Sequence, residues 1–147
     1  MKIFSYFKGL LAEKHSPQNE ELPTHLRAGR IGENAAAKYL RKKGYTLVCR
    51  NFTSGKNEID IIVKTKDTYV FCEVKARVQN YGEVHPFGRP ASAVDSDKQR
   101  HLIAAATTFL ERHKRENMWY RFDVLEVYLT KDGKVSHIHH IENAFIR

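Results

Sequence analysis

Two acids and a lysine stand where hydrolysis of a phosphate ester would need them. Asp60 lies within Asn57-Glu58-Ile59-Asp60-Ile61-Ile62-Val63, and Glu73 and Lys75 lie within Tyr69-Val70-Phe71-Cys72-Glu73-Val74-Lys75. Both runs are rich in β-branched and aromatic residues and are separated by a short polar stretch, which predicts a β-hairpin. Strand side chains repeat every two residues, so Ile59, Ile61 and Val63 share a face with Val70, Cys72, Val74 and Ala76. That face is expected to be the core side. With Lys66 and Asp67 at the tip, Thr65 pairs with Thr68, and counting back sets Asp60 opposite Glu73 and Glu58 opposite Lys75. Opposed Cβ atoms lie only ~4.5–5.5 Å apart, and like charges so placed destabilise a sheet. Asp60 and Glu73 therefore need a cation. Lys75 supplies one charge and a divalent ion would supply two, since Mg²⁺ is commonly held by one or two carboxylates with water and phosphate oxygens. Such an ion acidifies a bound water and offsets charge on a non-bridging oxygen, while Lys75 orients that water and neutralises charge developing in transfer. A half-exposed antiparallel sheet also shows Lys and Glu on its polar side. Here, however, Ile62, Tyr69 and Phe71 share that side, and a passive sheet avoids like-charged opposition. A three-residue tip would shift the pairing by one and, without a bulge, put the two acids on different faces.

Other elements must hold this hairpin in place. Helical spacing from Leu26 to Lys43 aligns Ile31, Ala35, Ala36, Tyr39 and Leu40, and Gly44 is a stop signal. Strands are expected over Tyr45–Phe52, Glu58–Lys64, Thr68–Ala76 and Arg121–Leu129, and over Lys134–Ile141 after the turn Lys131-Asp132-Gly133. Ser96 with Gln99 three residues later reads as a capping box, opening a helix through Leu102, Ile103, Ala106, Phe109 and Leu110 towards Asn117. Arg77 to Asp95, with Gly82, Pro86, Gly88 and Pro90, reads as a long loop, a length usually associated with function. The result is one α/β domain over residues 26–147, a mixed sheet flanked by helices in the order α-β-β-β-α-β-β. Residues 1–25 stand apart as a short amphipathic helix, with Ile3, Phe4, Phe7, Leu10 and Leu11 on its apolar side, followed by a linker containing Pro17 and Pro23. This helix is expected to pack on its own domain or on a twin, a homodimer, with a membrane-surface anchor as the sharper alternative.

Asp60 followed after twelve residues by Glu73-Val74-Lys75 resembles the signature of the PD-(D/E)xK nuclease superfamily. Taken with Gly29-x-x-Gly32-Glu33-x-x-Ala36-x-x-Tyr39-Leu40, Gly44-Tyr45, Arg50-Asn51-Phe52, Glu58-Ile59-Asp60 and Ala76-Arg77, it is similar to the bacterial YraN-like family of predicted endonucleases. That family is itself similar to archaeal Holliday-junction resolvases. The likeness continues through Lys98, the Ala-rich helix and Arg121-Phe122-Asp123-Val124, covering roughly Arg27 to Ile141. It implies a restriction-endonuclease-like fold and a metal-dependent endonuclease acting on DNA phosphodiesters, in branched or structured DNA. It also implies Mg²⁺ or Mn²⁺ on Asp60, Glu73 and the Val74 carbonyl, Lys75 positioning the attacking water, and Glu33 as the helix-borne acid of the site. Where the family carries Gly before the Glu-Ile-Asp triplet, this chain has Asn57. From spacing alone, Glu33 lies on the side of Ala36, Ala37 and Leu40 and can face the sheet, with an exposed surface position as the equal alternative. Gly32 would let that helix approach closely.

The whole chain has 147 residues, and 25 Lys plus Arg against 17 Asp plus Glu leave a formal charge of +8. Polyanions are the first partners to consider, because releasing counterions from phosphates favours basic proteins whatever the base sequence. Lys98 and Gln99 open the second helix, whose N-terminus could face a phosphate or simply be an exposed turn. Arg77, Arg89, Arg100, Tyr81 and Phe87 lie in or beside the long loop and could contact a nucleic-acid backbone or stack on bases, a solvated loop being the equal alternative. His137, His139 and His140 form a histidine cluster in which two at period two could share a metal, but ordinary strand packing and solvent exposure is expected there. Cys49 and Cys72 are too few for a disulfide framework and read as buried, reduced thiols of a cytoplasmic protein. No run approaches the ~18 apolar residues of a membrane span. A nucleotide hydrolase is disfavoured by the lack of a G-x-x-x-x-G-K loop. The rival from another class is a non-catalytic nucleic-acid-binding or assembly module on the same scaffold.

Overall fold

The computed structural model describes residues 24–78 and 94–146. The amphipathic segment and linker at the start, together with Tyr81, Phe87 and Arg89, lie outside these residues. Helix α1 spans Thr24–Lys42 and ends on Gly44, whose φ of +91° suits a residue without Cβ. Gly44 N–H donates to the Arg41 carbonyl at 3.0 Å and Tyr45 N–H to the Leu40 carbonyl at 3.1 Å, the paired closure of a left-handed helix end. Strands β1 (Thr46–Ser54) and β2 (Asn57–Lys64) follow, with Ser54 paired to Asn57 across a two-residue turn. Gly55, at φ +60°, supplies the left-handed residue of that turn. Asn57 therefore sits in a strand, where no glycine is required. Then come β3 (Thr68–Val78), α2 (Ser96–Arg112), β4 (Trp119–Leu129) and β5 (Val135–Phe145), in the order expected.

The sheet runs β1-β2-β3-β4-β5, with β3 and β4 parallel and the other neighbours antiparallel. A parallel pair needs a crossover, and α2 lies within the connection from β3 to β4. Its cap falls one residue earlier than the Ser96 expectation. Asp95 Oδ1 accepts the Lys98 N–H at 2.8 Å, and the Gln99 side chain donates to the Val94 carbonyl at 2.9 Å. A carboxylate at that position both caps the helix and complements its positive end.

Both faces of the sheet are buried. Ala36, Ala37 and Leu40 of α1 pack with Ile61, Val63, Val70, Cys72, Leu125 and Val127. Leu102, Ala105, Ala106 and Phe109 of α2 pack with Ile59, Ile62, Tyr69, Phe71, Phe122 and Val124. The expectation of one core face on the hairpin is thus corrected, because helices cover both sides of its paired part, while the Val74–Val78 end of β3 is part-exposed. Ile59 is a second departure, grouping with the α2 side while Ile61 and Val63 group with α1. The β1–β2 ribbon is irregular beside it: Asn51 takes a φ of +51° between the Arg50↔Ile61 and Phe52↔Ile59 pairs.

Gly32 fixes the distance of α1 from the sheet. A Cβ built there would lie 2.9 Å from the Ala76 Cβ, closer than side chains tolerate. Gly32→Ala gains ~1 kcal/mol of helix propensity but overpacks this contact by ~1–3 kcal/mol. A lower urea midpoint is expected, and an unchanged or higher one would show that α1 can slide away freely.

Candidate metal and nucleic-acid site

The candidate site forms where β2 and β3 part company. Their pairing follows the expected register from Lys64↔Tyr69 to Ile61↔Cys72 and goes no further, while β3 continues beside β4 as far as Val78↔Leu129. The ladder therefore does not set Asp60 opposite Glu73 or Glu58 opposite Lys75, which corrects that expectation. Instead Asp60 Oδ2 accepts the Val74 N–H at 2.7 Å. A side-chain oxygen takes the role of a ladder carbonyl, and the strands fork around it.

The two acids still meet. Burial first, and then the neighbouring Glu73, push the Asp60 carboxyl up to about 7, against the Val74 N–H and the Lys98 charge. Glu73 is only 8% exposed. Burial raises its pKa too, while Lys98 and Lys75 oppose the rise. Two carboxyls in this position resist being ionised together. Lys98, from the first turn of α2, brings its Nζ to 3.2 Å from Glu73 Oε2. Even so, that buried oxygen takes no hydrogen bond of acceptable angle.

Glu33 approaches from α1. Its carboxylate lies 3.3 Å from Arg50 Nη2, and Arg50 Nη1 donates to Asn34 Oδ1 at 2.8 Å. Burial, then Asp60, raise the Glu33 pKa against the pull of Arg50. With its amide turned to suit its neighbours, Asn51 donates at 3.3 Å both to Glu33 Oε2 and to the Asp60 carbonyl oxygen. Arg50 and Asn51 thus tie the helix acid to the fork. Sequence reasoning gave them no role, and its one available signal was an asparagine, tolerant of left-handed backbone, inside a strand run.

Lys75 is half-buried and shares the Glu73 side of β3, in register with Glu126. Of the residues expected to contact nucleic acid, Lys98 is drawn to Glu73, Arg77 pairs with Glu126 at 2.9 Å, and Arg100 is exposed beside Asp97. The histidines do not converge. His140 is buried with Nε2 2.8 Å from Asp123, His139 lies 3.3 Å from Glu126, and the His137 ring tilts against Tyr128. Asp123 is a buried acid that sequence reasoning passed over. Burial would raise its pKa, but His140, Arg121 and the Asn143 N–H hold it below the usual carboxylate range. Cys49 and Cys72 are free, and burial pushes the Cys49 thiol up to about 11.

A divalent ion suits the fork on three observations: a buried Glu73 oxygen without a hydrogen bond, an adjacent carboxyl that burial and repulsion make hard to ionise, and oxygen donors of hard-cation type. Among the described residues no three acid, histidine or cysteine side chains form a ligand set. Mg²⁺ needs fewer, since water and substrate oxygens complete its shell.

Residues 32–127 match the family described as uncharacterised protein family UPF0102. The chain belongs to this family. Among similar UPF0102 proteins, that of Caldicellulosiruptor saccharolyticus is 44% identical over 117 residues, covering 80% of this chain and 95% of the relative. The relative in Desulfosudis oleivorans is 41% identical over 117 residues, covering 80% and 88%, and that in Chloroherpeton thalassium is 39% identical over 112 residues, covering 76% and 82%. The UPF0102 match takes in Glu33, Asp60, Glu73, Lys75, Lys98 and Glu126, and stops before β5. Among the described residues no helix is long and apolar enough to cross a membrane.

Proposed function

We propose that this UPF0102 protein is a metal-dependent endonuclease that hydrolyses DNA phosphodiesters, with branched or structured DNA as its substrate class. The observation that carries the reading is the fork itself, where Asp60 and Glu73 are held together, largely buried, with one carboxylate oxygen lacking a hydrogen bond. The substrate class rests on the likeness to junction resolvases. Asp60, Glu73 and the Val74 carbonyl would hold Mg²⁺ or Mn²⁺, which supplies Lewis-acid charge against the phosphoryl oxygens. Lys75 presents an ammonium on the same side as Glu73, able to orient the attacking water and to offset charge as the phosphoryl group transfers. Lys98 neutralises Glu73 when no substrate is present and offers a second cation to a phosphate. Glu33, half-buried and with a raised pKa, can accept or hold a proton beside Asp60. The net charge of +8 favours a polyanionic partner.

The test is a cleavage assay on duplex, single-stranded and four-way DNA with Mg²⁺ or Mn²⁺. Metal-dependent cutting, strongest on four-way DNA, is expected. Binding with no cleavage under any of these conditions would replace the enzyme with a nucleic-acid-binding or assembly module.

A further inference from the structure

We infer that Arg77, oriented by Glu126 together with Tyr128 and His139, forms a second phosphate clamp on the same sheet face, taking the backbone phosphate next to the one that is cleaved. The clamp rests on the nuclease reading only for the identity of the cleaved phosphate. Parallel pairing carries the Glu73 side of β3 across the sheet: Lys75 aligns with Glu126 and Arg77 with Tyr128. Antiparallel pairing extends the same rows to His139 and His137 on β5. Arg77 lies two residues beyond Lys75 on one face, ~7 Å along the strand, and neighbouring strands are ~4.8 Å apart. That spacing is of the order of one nucleotide step along a backbone.

At the centre of these rows is one carboxylate with both oxygens in use. Arg77 donates to Glu126 Oε1 from Nε at 3.3 Å and from Nη2 at 2.9 Å. The Tyr128 hydroxyl donates to Oε2 at 3.2 Å, and His139 Nδ1 lies 3.3 Å from the same oxygen. Burial would raise the Glu126 pKa, but Arg77 and His139 hold it below the usual carboxylate range, so the acid is ionised at neutral pH. The side chain of Glu126 is 13% exposed, those of Arg77 and His139 36% and 43%. The acid is the inner post and the nitrogen bases form the rim. A guanidinium has five N–H donors in a fixed plane. Among the described residues two are spent, both on Glu126, which leaves Nη1 for a phosphate, the anion that the planar guanidinium grips best.

A simple ion pair on a basic surface makes the opposite forecast. Glu126→Gln removes a negative charge, so unspecific attraction to DNA should stay equal or strengthen, whereas loss of the orienting post should weaken it. Binding is read by fluorescence anisotropy on four-way and duplex DNA in Ca²⁺, with thermal melts confirming that each variant is folded. Glu126→Gln is expected to weaken affinity about tenfold. Arg77→Lys, a surface change that keeps the charge, should do the same and carries the test alone if Glu126→Gln does not fold. Arg77→Ala should also reduce the log–log salt slope on duplex DNA by about 0.9, one phosphate contact. Equal or tighter binding by Glu126→Gln or Arg77→Lys overturns the clamp, whether or not the wild type cleaves. Weakened binding by both variants with no cleavage by the wild type supports the clamp and overturns the nuclease. A wild type that binds no DNA overturns both.

Discussion

Asp60→Asn is expected to abolish metal-dependent cleavage while leaving the metal-free protein at least as stable at pH 8. Asparagine keeps an oxygen for the Val74 N–H, so the bond that shapes the fork survives, but the charge facing Glu73 is gone. The sign follows from the raised carboxyls. Asp60 moves from 3.8 to about 7, and Glu73 moves up as well. The folded state therefore favours their protonated forms. That contribution is fully present below the ordinary carboxyl value and is lost as pH rises through about 7. Metal-free wild type should lose thermal stability as pH rises from about 4 to about 7 and level off above that, and Asp60→Asn should flatten the decline. At the acid end the sign reverses, because Asp123 and Glu126 sit below the usual range and lose their contribution as pH falls through their folded values. Melting temperature against pH, with chelator present, measures both limbs. A variant that melts far lower at pH 8 yet still cleaves would make Asp60 a structural residue.

Lys75→Ala should slow single-turnover cleavage by roughly a hundredfold or more, the scale expected when a preorganised electrostatic group is removed. Its binding of DNA in Ca²⁺ should change little, since one contact among several is lost. Lys75→Arg should not restore the rate, because a planar guanidinium does not replace a compact ammonium beside buried acids. If Lys75 were only a surface cation, the alanine variant would lose at most ~1 kcal/mol of stability and nothing in rate. A near-normal rate would reject the mechanism, and a lost rate with retained binding would reject a purely binding role.

The sequence was legible where local rules govern. The order of elements, the Gly44 stop and the β2–β3 register from Lys64↔Tyr69 to Ile61↔Cys72 all follow from periodicity and turn chemistry. Extrapolation failed one pair later, because Asp60 enters the ladder through its side chain, and period-two counting carries no such option. Asp60 and Glu73 remain neighbours all the same. The two-sided core was misread for a related reason: Tyr69, Phe71 and Ile62 were visible beside the acids, but only tertiary packing shows that α2 covers them. The approach of Lys98 to Glu73 and of Arg77 to Glu126 could not be read at all, since the first depends on where α2 docks on the sheet and the second on a parallel strand far along the chain.

That same distance governs how the molecule assembles in time. On one side β3 meets β2 through near neighbours such as Val63↔Val70, and on the other it meets β4 through pairs such as Thr68↔Trp119, 7 and 51 positions apart (70 − 63 and 119 − 68). Closing the longer span costs ~2 kcal/mol more chain entropy than closing the hairpin. The hairpin, a microsecond element, forms first, and docking of β4 is the slow event that the native topology imposes. On this order Asp60 and Glu73 are expected to come near one another while still in water and to be desolvated only as the second half of the sheet arrives. Their mutual repulsion would then weigh on the folding rate as well as on the finished site, and Asp60→Asn is expected to refold faster than the metal-free wild type at pH 8.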